Sequence, residues 1–150
     1  MDKFSFGNLR LIESHFKLNT DFKHAKNEPV EISCQINISH KKEDKTIHVT
    51  FSVASADKNQ PFNFEVALVG AFKFSKLPQK GELEKIVHVN CAAIMFPYVR
   101  ETIADLTRRG NILPFHMAPM NFVALYQDKT SGASLNEKNN GQILEKEKEK

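Results

Sequence analysis

From Val30 to Ser39 apolar and polar residues alternate: Val30, Ile32, Cys34, Ile36 and Ile38 against Glu31, Ser33, Gln35, Asn37 and Ser39. A period of two predicts a strand with one buried and one wet face. His40–Lys45 is a charged hairpin loop, after which Ile47, Val49, Phe51 and Val53 alternate with Thr46, His48, Thr50 and Ser52. Asp57–Pro61 reads as a second turn. The next strand runs from Phe62 to Phe74, with Phe62, Phe64, Val66, Leu68, Phe72 and Phe74 on one face. Its other face changes from polar (Asn63, Glu65) to apolar (Ala67, Val69, Ala71), which points to a second contact such as a subunit. Short hairpin loops make these strands antiparallel neighbours. Ahead of them, Phe4, Phe6, Ile12, Phe16 and Leu18 share one parity and Leu9 and Leu11 the other, as in a strand with a bulge or break. The expected first half is a four-stranded antiparallel meander.

The second half is helical, so the fold class is α+β. The stretch Phe96–Gly110 carries its own boundaries. Pro97 suits the first turn, where a missing N–H is tolerated. Val99, Ile103 and Leu106 form a stripe, Arg108 and Arg109 sit at the negative end of the helix dipole, and Gly110 suits a left-handed C-terminal cap. A shorter helical stretch, Glu82 to Met95, precedes this long helix. A short C-terminal helix begins near Asn121, with Phe122, Leu125 and Tyr126 on one face. Between the two lies an extended loop, Gly110–Met120. Pro114 and Pro119 exclude a regular helix there, yet Ile112, Leu113, Phe115 and Met117 make it apolar where loops are usually polar. It is either packed as core or part of an apolar binding surface.

The last segment, 128–150, is polar and its charges cancel, ending in an alternating Glu-Lys run. It reads as a disordered solubilising tail behind one domain, 1–127. The +3 net charge of the 150-residue chain therefore belongs to that domain, and it is too small for a binder held mainly by nucleic-acid phosphates. The apolar fraction, 41%, is unusual only in its make-up: twelve Phe, two Tyr and no Trp. Cys34 and Cys91 are too few for a disulfide framework and read as buried, reduced thiols. With no apolar leader and no run approaching about 20 apolar residues, the expectation is a soluble, cytoplasmic protein with no membrane insertion.

No catalytic constellation is present, so no enzymatic activity is expected, and no cofactor or metal. Six histidines are scattered. His40 and His48 bracket a hairpin without a completing ligand, and His88 with Cys91 supplies two ligands at most, read as a surface His near a buried Cys. There is no phosphate loop, nucleophile elbow or zincin motif.

From Cys91 onward the chain resembles the SecB family of protein-export chaperones. The marks are Phe96-Pro97-Tyr98-Val99-Arg100-Glu101, then Arg109-Gly110, then Ala118-Pro119-Met120-Asn121-Phe122 and Ala124-Leu125-Tyr126, in order and at matching spacing. The resemblance implies a four-stranded antiparallel sheet, a long helix, an extended crossover loop and a lid-like last helix. It also implies a homotetramer, a dimer of dimers, that binds unfolded polypeptide clients in apolar grooves without hydrolysing nucleotide. Groove positions matched by resemblance are Val30, Ile32, Cys34, Phe122, Leu125 and Tyr126. Ile112, Leu113, Phe115 and Met117 join them because the loop is apolar. The positions matching the family's contact with the SecA motor are His15, Asn19, Asn63 and Glu65, of which only Glu65 keeps the acidic charge. That departure, with the +3 body, speaks against handover to SecA by this route. Alternatives are a specialised SecB-like chaperone of a toxin–antitoxin pair, or an adaptor with a closed groove serving one dedicated partner.

Overall fold

A computed structural model describes residues 3–23, 29–130 and 141–143. Strands β1 (Phe4–Leu18), β3 (Cys34–Glu43), β4 (Thr46–Ser55) and β5 (Phe62–Phe74) form one antiparallel sheet in the order β1-β5-β4-β3. The four strands, the long helix, the crossover loop and the short last helix are those the sequence implies. The order is not a simple meander. Only β3, β4 and β5 follow one another as neighbours, and β1 returns to the free edge of β5, a Greek-key arrangement. Pairing there aligns Phe4 with Phe74, Phe6 with Phe72 and Phe16 with Phe64, so every phenylalanine of β1 lands on the face that β5 buries.

The mixed parity of β1 has its cause in two register shifts, between Gly7 and Arg10 and between Leu11 and Glu13. Asn8 takes a left-handed conformation (φ 54°) in the first of them. The run Val30–Ser39 also breaks. Ser33 leaves the ladder and gives its N–H to Oε1 of the buried Gln60, at 3.0 Å. That separates β2 (Val30–Ile32) from β3, and β2 pairs instead with β6 (Gly141–Ile143) in a second, two-stranded sheet. Of the tail expected to be disordered, residues 131–140 and 144–150 lie outside the described residues.

The helix is longer than expected. Helix α1 (Lys80–Lys85), a π-helical turn (Ile86–Cys91) and α2 (Ala92–Arg109) run on without a break, and Pro97 lies inside α2, on its exposed side, rather than in a first turn. The π turn answers a spacing problem. Leu83, Val87, Cys91, Met95, Val99 and Ile103 repeat every four residues and are all buried. Four residues exceed the 3.6 of an α-turn, so the stripe would drift off the sheet; one wider turn, in which Ala92 N–H bonds back to Val87, holds it in place. At the other end Gly110 is not left-handed (φ −78°); Asn111 takes that role, with φ 58°. Glycine is needed at 110 because a Cβ there would lie 2.9 Å from the Phe16 ring.

The core lies between the inner sheet face and this helix. Phe51, Phe62, Phe72 and Phe74 are fully buried from the sheet, and Met95, Val99 and Ile103 from the helix. On the opposite sheet face Ala67 is buried and Val69 and Ala71 half-buried within the single chain, flanked by β1 and β4.

Candidate functional site

Past Asn111 the chain crosses the end of the helix and turns back over the inner sheet face. Three contacts hold this crossover loop. Arg100 Nε donates to the Met117 carbonyl at 3.0 Å, Phe115 N–H donates to Thr107 Oγ1 at 2.8 Å, and the Phe115 ring packs on Phe62 with centroids 5.8 Å apart. Helix α3 (Phe122–Thr130) follows, capped by Asn121, whose Oδ1 accepts the Ala124 N–H at 3.0 Å. Phe122 drops edge-on between Phe51 (6.0 Å) and Phe96 (5.6 Å). Further along, Leu125, Tyr126 and Lys129 overhang a depression floored by Ile36 and Ile38 and closed by His88 of the π turn.

The predicted groove residues divide by burial. Val30, Ile32, Cys34, Phe115, Met117 and Phe122 are buried and belong to one hydrophobic cluster, against which Ile112 and Leu125 pack. Ile112, Leu125 and Tyr126 are half-buried and Leu113 is exposed. The loop is therefore packed as core at Phe115 and Met117 and open at Leu113. Burial pushes both the Cys34 and the Cys91 thiol up to about 12.

The four partner-contact positions lie along the β1–β5 pairing. His15 and Glu65 face each other across β1 and β5, next to the Lys17–Asn63 pair, on the solvent side of the sheet, and Glu13 lies 3.8 Å from the His15 ring. Asn19 follows at the end of β1, where its N–H donates to the Pro61 carbonyl at 2.9 Å, and it also serves the fold: its side-chain amide donates to the Gln60 carbonyl at 3.0 Å and its Oδ1 accepts the Asp21 N–H.

His40 and His48 do not meet, since His40 pairs with Val49 on the inner face and His48 with Lys41 on the outer. No group of metal-binding residues forms among the described residues. His88 is buried, not on the surface, and the π turn joins it to Lys129 rather than to Cys91: Lys129 Nζ donates to His88 Nε2 at 2.8 Å. Sequence reading missed this contact. Its one signal was a histidine at the centre of the apolar run Ile86–Val89.

The sequence model of the family described as "Preprotein translocase subunit SecB" matches residues 12–133. The chain belongs to the SecB family. Among its relatives, the protein-export protein SecB of Acidithiobacillus ferrooxidans is 40% identical over 82 residues, 55% of this chain and 54% of that protein. The chain therefore spans about half the length of that relative. The protein-export protein SecB of Nitrosomonas europaea is 36% identical over 108 residues, covering 68% of this chain and 66% of that one. A solved SecB-like chaperone of Mycobacterium tuberculosis, in complex with a ChAD peptide from an antitoxin, shares the fold at a TM-score of 0.66 and 14% identity, covering 78% of this chain and 90% of its own. A Streptococcus agalactiae protein of unknown function aligns with a TM-score of 0.51 and 9% identity, covering 79% of this chain and 99% of its own. No described helix is long and apolar enough to cross a membrane.

Proposed function

We propose that this chain is an ATP-independent holdase that binds unfolded polypeptides for export, in the cytoplasm, through the apolar side formed by the crossover loop, α3 and the edge of β3. The observation that carries the reading is the layering of that side. A family member carries an apolar loop and a short helix laid over an aromatic floor, with Leu113, Ile112, Leu125 and Tyr126 already accessible. Such side chains make non-directional contacts and accept many sequences. Each apolar client side chain buried contributes about 1.5–3 kcal/mol before ordering costs. Several shallow sites on one chain then add through effective concentration. Lifting α3 would extend the surface to Phe51 and Phe96, on which Phe122 packs. No bond is made or broken in this work, which is why the reading includes no enzyme.

Assembly as a homotetramer, a dimer of dimers, is part of the proposal. Leu11 (52% exposed) and Ile12 (54%) on the edge strand and Tyr98 (48%) on α2 supply apolar surface for a second copy. Light scattering at four times the chain mass supports it, and a monomer mass contradicts it. Handover to SecA is not part of the proposal: His15, Asn63 and Glu65 share a face with Glu13 and Lys17, where acids are mixed with neutral and basic groups. The specialised alternative draws on the antitoxin peptide held by the Mycobacterium tuberculosis neighbour. The names of the relatives at 29–40% identity favour export. The test is suppression of aggregation of a diluted, chemically unfolded substrate at near-stoichiometric chaperone; no suppression at several-fold excess removes the reading.

A further inference from the structure

His88 stands where the lid helix meets the body. It is 8% exposed, on the π turn, and its ring is used on three sides. Nδ1 lies 3.0 Å from the Glu84 carbonyl and so carries the proton, which leaves the lone pair on Nε2 to accept from Lys129 Nζ at 2.8 Å. The Tyr126 ring lies over the imidazole, with centroids 5.8 Å apart and planes at 31°. One neutral histidine therefore contacts the last turns of α3 twice, while Phe122 holds the first.

We infer that His88 is a positioning residue that latches α3 onto the body while its ring is neutral and releases it on protonation, so that acid uncovers the client-binding surface. A proton on Nε2 turns the acceptor into a donor and places two cations against each other. The Glu84 carboxylate, 3.5 Å from Nδ1, then becomes the stronger partner, and the ring exchanges Lys129 for Glu84. The groups facing the ring are Glu84 from α1, Lys129 and Tyr126 from α3, and the Ile38 backbone from β3. Burial holds the ring below its ordinary 6.5, Lys129 acts in the same direction and Glu84 against it. The folded state thus takes this proton less readily than the unfolded chain. The group's contribution to stability is whole above about 6.5 and declines as pH falls below it.

The consequence for clients rests on the holdase reading; the latch itself does not. The test measures binding of a fluorescent, reduced and carboxymethylated α-lactalbumin, a permanently unfolded probe, from pH 7.5 to 5.5, together with amide exchange of α3 corrected for intrinsic rates. The full chain is expected to bind at least threefold more tightly at the acid end, with faster exchange of α3. His88→Gln keeps an acceptor for Lys129 at every pH and is expected to stay in the weaker, closed state. Lys129→Met removes the latch and is expected to stay in the tighter state, with a raised His88 midpoint by NMR. The same pH response in His88→Gln as in the unaltered chain, or no response in either, overturns the inference; should His88→Gln not fold, an unchanged pH response in Lys129→Met does so. Acid-accelerated α3 exchange confined to chains with the intact pair, without probe binding at any pH, supports the latch and removes the holdase reading.

Discussion

The backbone N–H of Phe115 donates to the hydroxyl of Thr107 at 2.8 Å, and that hydroxyl donates onward to the Ala104 carbonyl, also at 2.8 Å. Thr107 is fully buried, so one side chain joins the crossover loop to α2 with both capacities of its oxygen satisfied. Thr107→Val keeps the shape and orphans the Phe115 N–H. The expected loss is about 1–3 kcal/mol in urea unfolding, with an unchanged denaturant slope. An unshifted midpoint would mean that the loop is not held here.

Gly70 is packed against side chains of both the helix and the sheet. A Cβ there would lie 2.9 Å from the Phe6 ring and 3.3 Å from the Met95 sulfur. Gly70→Val is therefore expected to lower stability by about 1–3 kcal/mol through overpacking, read by thermal unfolding. Stabilisation, as β-propensity alone would give, would contradict the packing described.

The two layers of the apolar side separate by substitution. Phe115 and Phe122 are buried, so Phe115→Asp and Phe122→Asp bury a charge and are expected to abolish cooperative unfolding. Leu113→Asp and Tyr126→Asp act at accessible positions and are expected to keep the circular dichroism of the parent while weakening capture of an unfolded client several-fold. Full client affinity in both accessible variants would place the binding surface elsewhere.

These contrasts show how much was legible in the residues. The alternation in β3 and β4 was plain because one face of each strand is buried and the other is wetter, and in β5 it showed through the unbroken apolar inner face. The return of β1 to β5 was not, because parity says which face is buried and nothing about which strand lies alongside. Pro97 and Gly110 were read by their usual local roles, and both were overruled by tertiary demands. A four-residue apolar repeat carried the helix back to Lys80, and the Phe16 ring required the space at Gly110. The motifs from Cys91 to Tyr126 carried the family, and the groove positions inferred with them divide into buried and accessible ones. Their division into buried and accessible layers depends on where α3 lies, as does the His88–Lys129 contact, made by residues 41 positions apart in the chain.

Both thiols are expected to be inert in the native protein. Burial raises Cys34 and Cys91 to about 12, so the thiolate is scarce at pH 8. Ellman's reagent at pH 8 should titrate both cysteines after unfolding and neither before. Rapid native reaction at either would show that β3 or the π turn opens readily.

The central claim is that the side covered by α3 and the crossover loop receives polypeptide for lack of a fold rather than for its sequence. The most direct measurement is fluorescence anisotropy of several unrelated labelled proteins, each presented both folded and permanently unfolded. The account predicts binding of every unfolded form and of no folded form, in competition with one another and weakened together by Tyr126→Asp. Binding of a single folded protein, with the unfolded forms ignored, would contradict it.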